Sequence, residues 1–453
     1  NAGRLEAIIA AGCNDWGGVS PVTVDHVNPE SPWPQLDSLA AQTRAAGKTL
    51  VPRLTVYPHY IEKRAEWLHP GIIASVLKHA DASGFARSDD WSPGAGLEPP
   101  PVADSPAMPS SRPATAVMRL MERARAGAAL DEDELTRLFS VRGDDCQHVL
   151  RLADEARAES CGDTVSYVVN RNINYTNLCT YKCSFCAFSK GKTHEDLRGA
   201  PYVLDMSEVA RRTEEAWRRA ATEVCLQGGI HPALTGQTYL EVLHAVKEAA
   251  PDMHVHAFSP LEVTQGAKTL GIPLENFLRQ LKAAGLGTLP GTAAEILDDE
   301  VRRQICPDKV NTAAWFGVMR TAHALGLRTT STIMFGHLET TRHWARHLLR
   351  LRELQLETGG FTEFVPLPFV HMEAPVYRRG MARPGPTWRE TMLMHAVARL
   401  VLGPVLHNIQ VSWTKLGTAG AARILQAGAN DLGGTLMNES ISRAAGSSFG
   451  QEL

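Results

Sequence analysis

The stretch Cys179-Thr-Tyr-Lys-Cys183-Ser-Phe-Cys186 decides how the rest of the sequence is interpreted. Three of the eight cysteines lie in this short segment, and the other five are scattered singly along the chain. Closely spaced thiols can bind one inorganic centre, and a cluster of four irons that receives only three cysteines keeps one iron open for another ligand. The spacing therefore predicts an iron–sulfur site with an open coordination position.

A zinc site is the alternative from a different class of protein. Cys179, Cys183 and Cys186 could join His194 in a Cys3His set, which occurs in structural zinc sites. The chain would then be a non-catalytic, zinc-binding scaffold module. The five scattered cysteines are expected to be small buried apolar residues in either case.

The residues around the cysteines predict an α/β barrel. Residues 165–177 are rich in β-branched and aromatic side chains and predict a strand that leads directly into the cysteine loop. Strands and helices then alternate over about 280 residues, which is typical of a parallel (β/α)8 barrel. Loops at the carboxyl ends of barrel strands carry the chemistry in such folds. The further strands are expected at residues 223–227, 253–258, 288–289, 328–334, 361–366 and 408–412.

The domain organisation is predicted from an internal repeat and a proline-rich segment. Ala11-Gly-Cys-Asn-Asp-Trp-Gly-Gly18 recurs as Ala427-Gly-Ala-Asn-Asp-Leu-Gly-Gly434, so residues 1–87 are expected to be the C-terminal remnant of an upstream homologous domain in a longer polypeptide. That remnant is expected to contain a short strand at residues 49–56. Residues 88–115 are rich in proline and predict a poorly ordered linker. Residues 116–453 are expected to form the barrel domain, preceded by lead-in helices.

Composition excludes two classes of partner. The formal net charge of −3 over 453 residues provides no basic excess for nucleic acid. No apolar run is long enough to cross a membrane, and the N-terminus does not have the pattern of a signal peptide. A cytoplasmic location is expected, because thiols stay reduced there and remain available to a cluster.

The cysteine motif resembles the signature of the radical S-adenosylmethionine enzymes, including the aromatic Phe185 before the last cysteine. The resemblance implies that the three cysteines hold a [4Fe-4S] cluster whose open iron binds S-adenosyl-L-methionine, and that an external electron donor drives cleavage to a 5'-deoxyadenosyl radical. Gln227-Gly228-Gly229 resembles the segment that binds the amino group of S-adenosylmethionine. Phe185 and Glu295 complete the predicted cofactor site.

From about residue 165 to its end, the chain resembles one branch of that superfamily, the enzymes that make the F0 deazaflavin of coenzyme F420. The likeness is to the second, tyrosine-joining (CofH-like) half of the fused actinobacterial F0 synthases, and residues 1–87 then resemble the end of the CofG-like first half. The stretches of sequence on which this resemblance rests are Asn172-Ile-Asn-Tyr-Thr-Asn-Leu-Cys179, His254-Val-His-Ala-Phe-Ser-Pro260, Ser331-Thr-Ile-Met-Phe-Gly-His337, Thr358-Gly-Gly-Phe-Thr-Glu-Phe-Val-Pro366 and Gly428-Ala-Asn-Asp-Leu-Gly-Gly434.

This resemblance implies a reaction between L-tyrosine and 5-amino-6-(D-ribitylamino)uracil. The radical would abstract hydrogen from tyrosine, and the Cα–Cβ bond would break. The 4-hydroxybenzyl fragment would then add to the uracil ring, and the backbone part would be lost as a glycine-derived imine. The nearest alternative is a futalosine-pathway radical enzyme of menaquinone biosynthesis. His256, Glu339 and Asp431 are predicted as catalytic residues from their expected positions at strand ends.

Overall fold

The computed structural model describes residues 4–20, 26, 36–100, 115–189, 200–450 and 452–453. The linker residues 101–114 and His194 lie outside this part of the chain. The described helices are α1 (Leu5–Ala10), α2 (Leu36–Ala45), α3 (Pro58–Glu62), α4 (Arg64–Trp67), α5 (Pro70–His79), α6 (Thr115–Arg125), α7 (Glu132–Ser140), α8 (Gly143–Cys161), α9 (Met206–Arg218), α10 (Gly236–Ala249), α11 (Pro260–Leu270), α12 (Leu274–Ala283), α13 (Asp299–Ile305), α14 (Thr312–Ala324), α15 (Thr341–Thr358), α16 (Pro375–Arg378), α17 (Trp388–Leu402), α18 (Trp413–Leu425) and α19 (Ile441–Ala444). The strands are β1 (Ser166–Val168), β2 (Asn170–Asn174), β3 (Glu223–Gln227), β4 (His254–Ala257), β5 (Thr288–Leu289), β6 (Arg328–Phe335), β7 (Phe361–Pro368), β8 (Asn408–Ile409) and β9 (Asp431–Gly434).

The strands form a closed parallel barrel. Strands β2 to β8 make one seven-stranded sheet in chain order, and β1 pairs with β9. Single parallel bridges from Gln410 to Asp431 and from Arg171 to Met437 connect the β9 region to both edges of that sheet. Strands β1 and β2 together therefore occupy the first position of the barrel, and β9 occupies the eighth. The predicted α/β barrel is confirmed, and the second copy of the repeat, at residues 427–434, contains β9.

Local sequence signals set the ends of several helices. Asp131, Ser259 and Thr387 each form a capping box with the glutamate three positions later. Gly271 and Gly359 adopt left-handed conformations and end α11 and α15. Helix α11 begins at such a box, Ser259 with Glu262, and it was not predicted. Among the described residues, no helix combines the length and apolar character needed to cross a membrane.

The N-terminal segment packs against the barrel. Asp81 accepts from Arg142 at 2.5 Å and from Arg389 of α17 at 3.1 Å. Trp91 is buried with its ring 5.0 Å from that of Trp388. The expectation of a poorly ordered linker therefore does not hold for residues 88–100, because burial of Trp91 anchors them.

The strand predicted at residues 49–56 is wrong. Residues 49–54 have no regular secondary structure, and Thr55 and Val56 form a bend. Pro52 also lacks the amide hydrogen that strand pairing uses. Arg53 instead donates to Asp15 at 2.5 Å. Asp15 also accepts from Gly17 N at 2.6 Å, and the equivalent residue of the second repeat, Asp431, accepts from Gly433 N at the same distance. The two repeats therefore share the same local turn.

Glu339 belongs to a buried network behind the barrel strands. Its side chain is inaccessible to solvent and lies 2.8 Å from Nδ1 of His337 and 3.4 Å from Arg383, while Trp344 Nε1 donates to it at 2.9 Å. Burial opposes ionisation, but the charges of His337 and Arg383 hold the pKa of Glu339 below its ordinary value. Glu339 lines neither of the two cavities described below. The structure therefore argues against the predicted catalytic role and for a role in stabilising the fold.

Replacing Glu339 by Gln is expected to destabilise the protein by up to about 3–5 kcal/mol, because it removes one of the two buried carboxylates that pair with Arg383. The matched control, Glu357→Gln, removes a pair with Arg320 that is about half exposed, and it should change stability by about 0–1 kcal/mol. Thermal unfolding of both variants measures the difference. An unchanged unfolding temperature in Glu339→Gln, together with loss of turnover, would restore the catalytic interpretation.

The end of β3 is bound tightly to the cysteine loop. Gly229 N donates to Thr176 O at 3.0 Å, and Thr180 N donates to Ile230 O at 2.9 Å. A Cβ on Gly228 would lie 2.3 Å from the Tyr175 ring, and one on Gly229 would lie 2.2 Å from Leu178 O. Both glycines are therefore required by the close approach of the backbone to the cysteine loop.

A Gly229→Ala substitution is expected to displace the cysteine loop and to cost roughly 1–3 kcal/mol of stability, because an added Cβ overlaps backbone atoms. The control is Gly317→Ala on α14, where an added Cβ meets nothing within 4 Å. Iron and sulfide bound per chain after anaerobic reconstitution should fall in the first variant and stay at the wild-type level in the second. Equal iron content in both variants would contradict the proposed constraint.

Candidate active site

Two cavities lie inside the barrel. The first, termed the cluster cavity, has a volume of about 220 Å³ and contains all three cysteines of the motif. The second, termed the lumen cavity, has a volume of about 430 Å³ and runs between the strands. Gln227 and Thr292 line both, and Gln227 Nε2 donates to Thr292 Oγ1 at 2.9 Å. This hydrogen-bonded pair therefore marks the boundary between the cavities.

The cysteine thiols fit an iron–sulfur cluster better than a zinc ion. All three are free, and they line the same cavity. The three cysteine sulfurs, all in the described part of the chain, are not all within 4.8 Å of one another, so at least one pair is further apart than that. Thiolates on one zinc ion, with Zn–S near 2.3 Å, would lie only about 3.8 Å apart. His194, the fourth ligand of the zinc hypothesis, is outside the described residues.

The cysteine environment also suits sulfur ligands. Ile230 N donates to Cys179 Sγ at 3.3 Å, and Ser189 N donates to Cys186 Sγ at 3.4 Å. Burial raises the pKa of the Cys183 thiol to about 12 and also raises that of Cys186. Since metal ligands must be thiolates, binding of iron has to displace these protons.

Glu262 fixes the glycine segment beside the cysteines. It is the capping-box glutamate of α11 and is almost fully buried. Its carboxylate accepts from Gly228 N at 3.1 Å, from Ser259 N at 2.7 Å and from the Tyr175 hydroxyl. Burial raises the pKa of Glu262, although these hydrogen bonds oppose the rise. Sequence reasoning missed Glu262, yet its spacing from Ser259 was a visible helix-start signal.

Glu295, Lys309 and Phe185 meet at another wall of the cluster cavity. Lys309 Nζ donates to Glu295 Oε1 at 2.8 Å and lies 5.3 Å from the centroid of the Phe185 ring. Burial alone would lower the pKa of Lys309, but the charges of Glu295 and Cys183 raise it above its ordinary value. Glu295 itself has a left-handed backbone with φ of 47°, a strained conformation that is common at functional sites. Lys309 was not predicted.

Asn174 is a further residue that the sequence did not single out. It ends β2 opposite Gln227 and lines the cluster cavity. Only 4% of it is exposed, and Nδ2 donates to Ser440 Oγ at 3.0 Å. Its Oδ1 has no hydrogen-bond partner among the described residues. A buried acceptor without a partner is unfavourable, so this oxygen is available to a ligand.

The predicted catalytic residues separate in the structure. His256 lines the lumen cavity, where burial lowers its pKa to about 4, and Nδ1 lies 2.7 Å from Thr288 Oγ1. Asp431 also lines the lumen, but it begins β9 and pairs with Ser166 at the start of β1. It therefore lies at the amino-terminal end of the barrel, opposite the cysteine loop, and its expected position at a strand's carboxyl end is wrong. The predicted cofactor residues Phe185, Gln227, Gly228, Gly229 and Glu295 come together with the three cysteines in the cluster cavity.

Comparisons with known families agree with this site. Residues 173–351 match the radical SAM superfamily, and residues 358–452 match the CofH/MqnC C-terminal region. The chain is 46% identical over 488 aligned positions to the FO synthase of Streptomyces coelicolor, covering 99% of this chain and 56% of that protein. It is 51% identical over 338 positions to the 5-amino-6-(D-ribitylamino)uracil--L-tyrosine 4-hydroxyphenyl transferase of Methanopyrus kandleri, covering 74% of this chain and 90% of that protein.

Solved structures share the fold. Methylornithine synthase superposes with a TM-score of 0.55 at 19% identity over 70% of this chain and 86% of that one. The FeFe-hydrogenase maturase HydG of Carboxydothermus hydrogenoformans superposes with a TM-score of 0.56 at 14% identity, over 74% of this chain and 73% of that one. The cofactors of the superfamily are a [4Fe-4S] cluster and S-adenosylmethionine, and the three free cysteines that line one cavity fit that cluster.

The barrel, the three-cysteine cavity and the close relatives lead to one assignment: this chain belongs to the radical S-adenosylmethionine enzymes of the branch that contains the FO synthases and the 5-amino-6-(D-ribitylamino)uracil--L-tyrosine 4-hydroxyphenyl transferases.

Proposed function

We propose that this chain joins the 4-hydroxybenzyl part of L-tyrosine to 5-amino-6-(D-ribitylamino)uracil. The observation that carries the proposal is the pair of adjoining cavities, one containing the three cysteines and the other polar and large enough for a small substrate. When bound, the cluster and S-adenosylmethionine supply a 5'-deoxyadenosyl radical that abstracts hydrogen from tyrosine. The boundary pair Gln227 and Thr292 is where that substrate would meet the cluster cavity.

The chain's own residues have three tasks in this proposal. Cys179, Cys183 and Cys186 hold the cluster. Gly228 and Gly229, fixed by Glu262, would present their backbone to the amino group of S-adenosylmethionine. Glu295 and Lys309 offer a carboxylate and an ammonium group in the same cavity, which suits the oppositely charged ends of the methionine part of S-adenosylmethionine.

The proposed reaction is one part of F0 formation. The chain spans 56% of the length of the FO synthases that it matches. We propose that residues 1–87 correspond to the end of a CofG-like domain. The turn shared by Asp15 and Asp431 supports this relationship. An external electron donor and a cytoplasmic location, where thiols remain reduced, are part of the same proposal.

Reconstituted and chemically reduced wild-type protein is expected to form 5'-deoxyadenosine and a tyrosine–uracil adduct when both substrates are present. Cys183→Ala should abolish both products, because it removes a cluster ligand. Cys161→Ala should retain them, because that free thiol lies at the end of α8, away from both cavities. Chromatography with mass detection measures the two products. Consumption of a futalosine-type substrate without adduct formation would instead favour the menaquinone alternative.

A Glu295→Gln variant is expected to weaken binding of S-adenosylmethionine about tenfold, since one charge–charge contact of about 1.4 kcal/mol is lost. Its cluster absorbance should resemble that of the wild type. Glu300→Gln is the matched control, because Glu300 is exposed and lines neither cavity. Equilibrium binding to the reconstituted, unreduced protein gives the dissociation constants. Equal constants in the two variants would remove Glu295 from the cofactor site.

A further inference from the structure

The amino-terminal half of the lumen cavity is not needed to hold the cluster or S-adenosylmethionine. The cavity extends from the Gln227–Thr292 boundary to the opposite end of the barrel, where Ser166 and Tyr167 line it. Tyr167 is 64% exposed, so the cavity reaches the surface there. Its volume of about 430 Å³ is within the usual range for small-molecule sites.

The lining of this half has a distinctive chemistry. Glu223, Glu363 and Asp431 contribute carboxyl groups, and Thr330, Asn408 and Gln410 add a hydroxyl and two amides. None of the described residues that line the lumen cavity is a lysine or arginine. Tyr167 is the tyrosine in this lining, and the described lining contains no tryptophan or phenylalanine. A phosphorylated or carboxylated ligand group is therefore disfavoured in the amino-terminal half of the cavity. A neutral ligand with many hydroxyl groups would find both donors and acceptors along the wall.

Glu363 lacks a partner for its carboxyl group. Asp431 accepts from Ser166 Oγ at 2.5 Å, and Glu223 accepts from Asn170 Nδ2 at 3.0 Å. The Glu363 side chain, by contrast, makes no hydrogen bond or ion pair with any described residue, although it lies inside the barrel. Burial raises the pKa of Glu363 to about 8, and the charges of Asp431 and Glu223 add to the rise. A protonated carboxyl can both donate to and accept from a hydroxyl group.

We propose that the amino-terminal half of the lumen is a polyol subsite that binds the ribityl chain of the uracil substrate, with Glu363 hydrogen-bonded to its hydroxyl groups. This inference rests on the proposed function. Tyrosine and the uracil ring must meet next to the cluster cavity, at the Gln227–Thr292 boundary. The ribityl chain takes no part in the bonds that form or break, so it can extend away from that boundary towards Glu363.

The test compares two ligands, the ribityl substrate and 5,6-diaminouracil, which lacks the chain. Their dissociation constants are measured by calorimetry on reconstituted, unreduced protein with S-adenosylmethionine present. In the wild type the ribityl ligand should bind more tightly. Glu363→Ala should weaken its binding about tenfold, as expected for loss of a buried hydrogen-bonding group, and leave the binding of 5,6-diaminouracil and L-tyrosine unchanged. Glu357→Ala, at an exposed position, should change none of these constants.

Two results would overturn the subsite: equal binding of the two uracils by the wild type, or equal weakening of both by Glu363→Ala. If the alanine variant does not fold, Glu363→Gln carries the same comparison, with a smaller loss expected because the amide still donates and accepts. Adduct formation by the wild type is measured alongside. Absence of the adduct would refute the proposed function itself, whereas adduct formation together with either of those binding results would refute the subsite alone.

Discussion

The close approach of the Gly228–Gly229 backbone to the cysteine loop is the constraint on which the rest of the site depends. Three thiols on a loop can be held in one cavity only if a neighbouring element fixes the loop. Here the end of β3 does so through backbone hydrogen bonds to residues 176 and 180 and through Ile230 N on Cys179 Sγ. Any side chain at either glycine would overlap atoms of that loop or of Tyr175. The glycines therefore belong to the architecture of the cluster site as much as to ligand binding.

Buried carboxylates perform different tasks in different parts of this barrel. Glu262 and Glu339 are almost fully surrounded by hydrogen-bond donors, and each fixes a backbone turn: Glu262 at Gly228, and Glu339 at Gly336 and His337. Glu363 faces the lumen without a protein partner. This contrast separates residues that stabilise the fold from a residue available to a ligand, because protein donors already satisfy Glu262 and Glu339, whereas Glu363 is partly exposed to the lumen. The polar lumen is consistent with a substrate that brings its own hydroxyl and amino groups.

Much of the architecture could be predicted from the sequence because strand and helix patterns alternate clearly after Cys186. The cysteine spacing and the Gln227-Gly-Gly229 segment located the cofactor site, since both depend on short-range patterns. Residues whose role depends on three-dimensional packing were harder to predict. Glu339 and Asp431 were both predicted as polar residues near strand ends. In the structure, the Glu339 side chain belongs to a buried network with His337, whereas Asp431 begins β9. Lys309 reaches Glu295 from a separate loop, and no local pattern indicated that contact. Trp91 anchors a proline-rich segment that composition alone described as a linker.

The fate of the tyrosine carbon atoms is the most direct test of the account. Two samples of L-tyrosine, one labelled with carbon-13 at Cβ and the other at Cα, would be incubated with the reconstituted, reduced protein, S-adenosylmethionine and 5-amino-6-(D-ribitylamino)uracil. Mass spectrometry of the adduct should show the label from Cβ and not from Cα, since the 4-hydroxybenzyl fragment leaves the backbone carbon behind. Label in the adduct from the Cα sample as well as from the Cβ sample would contradict the proposed transfer. So would the absence of any adduct while 5'-deoxyadenosine accumulates.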